Sequence, residues 1–425
     1  MHRERQSIRS GRRGMTAALS RITVRQWVLL AFFNLVLVAV LGLLMRLKVL
    51  LPMPAINQKF LLHAHSHFAF AGWVSHALMV LVVAMVFNRQ QHEKLPWRYQ
   101  LTVIANLLAS YGMLISFFLQ GYGLYSIIAS TATVAVSYVF AVMCWRDMAN
   151  SGRHSIAFYW LRAALLFLVL SSMGTFYLAH LMTSNNMDPR LQLASVYFYL
   201  HFQYNGWFFF ACMALVQHGF NRIGVSVNHP KAIFWLFALT CPINYLLSVL
   251  WWDMPAWLYV GVVAAVVAQS IAWAQWLRSC VANRLVLGRS LTAVAKWLLI
   301  GVATAATIKF VLQGLSVIPS LSQLSYSFRP IVIGYLHLVL LAVISLFIMA
   351  YSYIGELLQI NRLAIASTTV FVSGVILNEL LLMGQGISGL ARTPIHHMPL
   401  LLAVAAGTLL IGIVGLLLSQ RHKRL

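Results

Sequence analysis

The stretch 59–79 reads KFLLHAHSHFAFAGWVSHALM and continues as an apolar run to residue 87. It is too long and too poor in charge for a strand or a solvent-facing helix. At about 1.5 Å of rise per residue it crosses a hydrocarbon layer of about 30 Å. Within it stand His63, His65, His67 and His76. Ionisable side chains inside a bilayer are costly and mark functional positions. The stretch therefore predicts both a membrane fold and a site.

The rest of the chain follows the same pattern. It is 61% hydrophobic and 9% charged over 425 residues, which excludes a soluble domain of ordinary composition. Apolar runs at 27–45, 60–87, 101–119, 124–145, 156–182, 193–216, 232–251, 256–277, 291–312, 330–351, 364–383 and 398–418 predict an all-α polytopic protein of about twelve transmembrane helices. One membrane domain, 25–420, is expected between a basic arm, 1–24, and a basic tail, 421–425. The connecting segments are short, and no internal repeat or low-complexity tract is read.

The net charge of +23 would point to nucleic acid in a soluble protein, but its distribution points to lipid. With a cytoplasmic N-terminus, the opposite side holds only Arg46, Lys48, Lys59, Arg190, Arg329 and Arg392 outside the spans. That asymmetry predicts both termini in the cytoplasm, the arm lying on anionic headgroups, and no nucleic-acid partner. The four cysteines are scattered without metal-ligand spacing and read as packing residues.

The histidines carry the functional signal. His201 stands about eight residues into the sixth run, within YFYLHFQYNGWFFF, and His337 about seven into the tenth, within PIVIGYLHLVLLAV. Runs two, six and ten descend from the same side, so His65, His67, His201 and His337 lie at one depth, roughly 8–12 Å below the surface. His180 closes the fifth run. Neutral imidazoles from separate helices bind a haem or a metal ion without burying charge. Flanking aromatic and small residues favour haem over a bare metal ion. Lys309 and Glu379 lie nearly level with them and read either as an ion pair or as a lysine facing haem propionates beside a proton path. His2, His154 and His422 fall in the segments outside the runs.

The segment AHSHFAFAGWVS, 64–75, is similar to the AHxHxxxxGWVS motif of small relatives of the haem-copper oxidase superfamily, and GYLHLVL, 334–340, resembles that family's AHFHYVL. The resemblance covers the twelve-helix plan and the histidines on runs two, six and ten. It implies a subunit I or nitric oxide reductase-like bundle in a bacterial inner membrane, carrying at least one low-spin haem. The ligands implied are His337 and either His65 or His67, with Gly72 on the face of His65 favouring that residue, and Lys309 is implied near the propionates.

Tyr335 stands where the family has its high-spin haem ligand. HFQYN, 201–205, replaces HPEVY, so that His201, Gln203 and Tyr204 occupy the altered catalytic position, with His180 as an unconventional further ligand. The seventh run lacks the family's histidine pair. The expected function is electron transfer or small-gas redox chemistry on nitric oxide or oxygen, with the centre for a second haem, copper or iron incomplete. Quinol or cytochrome c is the expected electron donor, and an accessory membrane subunit is a further expected partner. The competing readings are a cofactor-free transporter or assembly factor with a histidine-lined cavity, and a paralogue that keeps the fold for partner binding alone.

Overall fold

The computed structural model describes residues 22–151, 155–184, 188–319, 321, 329–393 and 395–421. Most of the expected basic arm, the tail beyond Arg421, His2, His154 and His422 lie outside them. Among the described residues there is no strand; the β-type contact is a single antiparallel bridge between Thr23 and Lys94. Eleven helices among the described residues are long and apolar enough to cross a bilayer. They are α1 (Val24–Leu50), α2 (Gln58–Val86), α3 (Trp97–Gln120), α4 (Leu124–Asn150), α5 (Ile156–Thr183), α7 (Pro230–Val249), α8 (Ala256–Ala282), α9 (Ala293–Leu315), α10 (Pro330–Ile354), α11 (Arg362–Leu390) and α12 (Met398–Ser419). A helix is the form a chain takes in lipid because it satisfies every backbone N–H and C=O within one segment.

The expected sixth run differs. Its helix, α6, extends over 189–223 as Pro189–His201, Phe202–Phe208 and Phe209–Ile223. All three parts pack against α5, so α6 runs beside a full-length span. Buried His201, Gln203 and Asn205 make its middle polar, which sets it apart from the eleven apolar helices.

Cap chemistry sets many helix starts. Thr23 and Gln26 form a capping box on α1, while Asn57, Ser155, Asp188 and Asn361 accept first-turn N–H groups of α2, α5, α6 and α11. The α2–α3 loop also accepts from α1, through Val24 N–H to Glu93 O and Arg25 N–H to Gln91 O. Arg25 donates to Gln420 at the end of α12. The first and last helices thus begin and end on one face, here called the terminal face; the opposite one is the distal face.

The structure exposes a repeat that the sequence reading passes over. HFAFAGW, 67–73, recurs as HFQYNGW, 201–207, and more faintly as HLVLLAV, 337–343. Each copy lies on the second helix of a four-helix series, α1–α4, α5–α8 and α9–α12. In each copy the helix loosens into a π-helical segment: Ala69–Ser75, Phe202–Phe208 and Leu338–Ser345. A π segment disturbs the i→i−4 ladder and leaves carbonyls to be satisfied from outside. Asn34 of α1 donates to Gly72 O at 2.6 Å, and Asn106 of α3 donates to Ala71 O at 3.1 Å.

The repeat also ties the three helices together. Trp207 Nε1–H donates to Ser75 Oγ at 3.3 Å, and Trp73 Nε1–H donates to Ser345 Oγ at 2.9 Å. In each bond an indole six residues after the repeat histidine reaches a serine eight residues after the histidine of another copy. The third link of that cycle would join Val343 to Phe209, where neither side chain can hydrogen-bond. Around this junction packs one extensive apolar core.

Candidate functional site

The helix α2 presents its distal histidines to two different sides. His67 Nε2 pairs with Tyr122 Oη at 3.2 Å, and its ring stacks on Phe117 of α3 at 4.3 Å. His63 sits in the same aromatic group, with ring centroids 4.7 Å from Tyr122. His65 turns the other way, toward α1. Its Nδ1 lies 3.1 Å from Val38 O, and a side chain at Gly42 would touch its ring at 3.4 Å. His76, further down α2, is fully buried with Nε2 3.2 Å from Trp27 O.

On α10, His337 Nδ1 lies 2.8 Å from Ile333 O, one turn back along its own helix. A carbonyl oxygen only accepts, so Nδ1 carries the proton in both His65 and His337, and each Nε2 keeps its lone pair. This is the arrangement by which proteins orient metal-binding imidazoles, with the distal N–H tied to a carbonyl. His65 and His337 lie within electrostatic range of each other, and Arg46 of α1 lies within range of both. Both rings retain some accessible surface. The sequence reading counts Arg46 as a loop charge because it ends the first run at residue 45. The helix continues to Leu50 and carries Arg46 one turn beyond Gly42, on the face that meets His65. That i, i+4 spacing is the signal that could have found it.

The expectation for Gly72 is not met by open space: a side chain there would lie 2.5 Å from the Phe68 ring, which already covers that position. Gly206 is covered in the same way by Phe167.

His201 is bound differently. Its Nε2–H donates to Cys241 O of α7 at 2.8 Å, which leaves Nδ1 to accept from Asn205 Nδ2 at 3.2 Å. Both ring nitrogens are therefore engaged. Gln203 turns toward α5, donating to Ser171 Oγ at 2.9 Å. Tyr204 and Tyr335 meet edge to face, with centroids 6.2 Å apart. His180 is not brought to His201; it is exposed at the end of α5 and stacks on Tyr177. Among the described residues no three His, Cys, Asp or Glu side chains converge as a metal site would require.

Lys309 is buried, but it does not face the His65–His337 pair. Its Nζ donates to Gln313 Oε1 at 2.8 Å and sits 4.1 Å from the centroid of the Phe310 ring. The expected ion pair with Glu379 is not formed, since Glu379 accepts from Asn378 instead. Among the described residues the ion pairs are Arg89–Glu93 and Arg98–Asp147, both at the terminal face.

Comparison of the sequence with protein-family models gives no match, and comparison with curated proteins gives none.

His201, Tyr204 and Tyr335 do share a second space. Between α6, α7, α9, α10 and α11 lies a cavity of about 360 Å³, mostly apolar, whose polar wall includes these three residues with Asn244 and Gln313. Sequence reasoning missed Asn244 and Gln313. Asn244 meets Gln269 of α8, a neighbour that no pattern along the chain marks, whereas Gln313 stands four residues after Lys309 on α9, and that i, i+4 spacing is the signal that could have found it.

Proposed function

We propose that this chain is a twelve-span membrane haem protein of the haem-copper oxidase type, with both termini cytoplasmic, in which His65 and His337 hold one low-spin haem. The observation that carries the reading is the matched pair of imidazoles, each with Nδ1–H tied to a carbonyl and Nε2 left with its lone pair. His65 on α2 and His337 on α10, both neutral imidazoles, would hold the haem iron without burying charge. A haem held by both histidines would supply one-electron transfer.

The protein's own groups prepare that chemistry. The Val38 and Ile333 carbonyls set the tautomer and rotation of the two rings. Arg46, with its fork of donors, supplies the cation that an anionic haem edge requires. Gly42 lets α1 lie close to the His65 ring. His201, with both nitrogens engaged, is suited to hold α6 against α7, so the reading assigns the redox step to the His65–His337 pair alone.

The test is a reduced-minus-oxidised optical spectrum of detergent-purified protein with a pyridine haemochrome on the same sample. Sharp low-spin bands at about one haem per chain support the reading. A preparation that stays colourless when expressed with ample haem overturns it.

A further inference from the structure

We propose that His63, His67 and Tyr122 form a site at the distal end of α2 for one divalent transition-metal ion, with Cu²⁺ the ion that the donor set fits. The inference does not depend on the haem reading. It uses neither His65, His337 nor Arg46, and it lies on the side of α2 that faces α3 rather than α1.

The turn after α3 is built to bring a phenol to this pair of histidines. The helix ends at Gln120 and turns at Gly121, whose φ of +64° residues with side chains rarely adopt. A Cβ at Gly121 would lie 2.4 Å from the Phe60 ring of α2, so the turn rests directly on that helix. Ser126 of α4 fastens it, since its Oγ accepts from Gly123 N–H at 2.9 Å and donates to Gly121 O at 2.8 Å. Tyr122, between the two glycines, is thereby laid over α2 with its ring centroid 4.7 Å from His63 and 6.0 Å from His67.

The separations suit a shared ion. His63 and His67 stand four residues apart on one helix face, the spacing at which two imidazoles chelate a metal, and their ring centroids are 6.4 Å apart. His67 Nε2 and Tyr122 Oη are 3.2 Å apart. Ligands bonded to one ion at about 2.0–2.1 Å, with bond angles of roughly 90–110°, stand about 2.8–3.4 Å from each other. An ion can therefore take the place of the proton these two atoms share without moving either of them. Phe117, stacked on His67 at 14°, holds the plane of that imidazole, and His63 completes the set by rotation about its side-chain bonds. Both histidines are half-buried and Tyr122 is 51% exposed, so water can reach the ion and supply the remaining ligands.

The donors select the ion. Two nitrogens and a phenol oxygen, completed by water, make the N,O set that suits tetragonal Cu²⁺, with the phenol giving its proton to water at the open face. The set holds no thiolate for Cu⁺ and no carboxylate for Mg²⁺ or Ca²⁺, and among first-row divalent ions Cu²⁺ binds such donors most tightly. Because its third donor is a tyrosine, the site is distinct from a convergence of three His, Cys, Asp or Glu, of which there is none among the described residues.

The experiment is Cu²⁺ retention by the untagged full chain in detergent, run alike on colourless and haem-loaded preparations. Loaded protein is desalted in excess glycine, which strips loosely held copper, and is read by elemental analysis, electron paramagnetic resonance and visible absorption. The expected result is about one ion per chain, with nitrogen splitting in the resonance spectrum and a phenolate-to-copper absorption band. His63→Ala and His67→Ala should each weaken retention tenfold or more. Tyr122→Phe, which keeps the ring packing, should remove the absorption band and weaken retention several-fold; it carries the test where a histidine variant fails to fold by size exclusion. Replacing the neighbouring pair His396 and His397 by alanine should change nothing. Absence of retained copper overturns the proposal, as does retention that is indifferent to the first three substitutions or lost with His396 and His397. Copper that is displaced when haem is loaded would give His67 to the haem and overturns it too. Because copper is read with and without haem, its failure and the failure of the haem reading are distinguished.

Discussion

His337 and His201 hold the same place in the repeat, each immediately before a π segment, yet their surroundings differ. On α10, the carbonyl one turn back takes one nitrogen and the other is left with its lone pair. On α6, the Cys241 carbonyl and the Asn205 amide take both. Equal position in a repeat therefore does not mean equal chemistry. What decides it is how many protein partners each ring meets: Ile333 and Asn205 lie one turn away on the same helix, and the Cys241 carbonyl, brought by α7, makes the difference.

The largest effect that would sharpen this contrast is at the two ends of the pair. His337→Ala should remove the low-spin spectrum completely, whereas His201→Ala should keep the haem; a full spectrum in the first variant would break the comparison. Next comes the choice within α2. His65→Ala should lower haem content at least tenfold and His67→Ala should leave it near the parent value, because His67 faces Tyr122 and Phe117; haemochrome assay of both variants decides.

A smaller effect is expected on stability alone. His201→Ala strands the Asn205 amide and the Cys241 carbonyl and should cost about 1–3 kcal/mol of resistance to denaturant. Trp73→Phe, which removes the bond to Ser345 while keeping most of the packing, should cost about 0.5–1.5 kcal/mol in the same measurement.

The smallest effect lies at the terminal face. The Gln90 backbone N–H at 2.5 Å, and then Arg89 at 3.0 Å, hold the exposed Glu93 carboxyl below its usual range. A lowered folded-state value adds stability above the unfolded carboxylate range, near pH 4.3, and that contribution is lost as pH falls through the folded value. Glu93→Gln should therefore lower Tm slightly at neutral pH, and the difference from the parent should vanish in acid. A difference that persists in acid would show that the carboxylate charge is not its cause.

The membrane architecture was legible in the sequence because it is a property of local composition. Apolar length, the polarity of the loops and caps such as Asn57, Asp188 and Asn361 all act within a few residues. The repeat was harder to see. Its third copy keeps only the histidine and the serine eight residues on, and its meaning lies in cross-helix bonds such as Trp207 to Ser75.

The choice between His65 and His67 shows where local reasoning ends. The two are separated by about 200° around the helix, so spacing assigns them to different sides without saying which side faces α10. Gly72 pointed to a face for the porphyrin, but Phe68 covers it. Lys309 and Glu379 could have been a pair by depth alone, yet helix rotation gives the lysine to Gln313 and the glutamate to Asn378.

By itself, then, the sequence determined that the chain is a many-helix membrane protein, because hydrophobicity and helical rise are encoded residue by residue. Only the tertiary structure decided which nitrogens stay free, where Arg46 lies and which residues wall the cavity. Those depend on how each helix is rotated against its neighbours, and rotation is set by packing across the whole bundle.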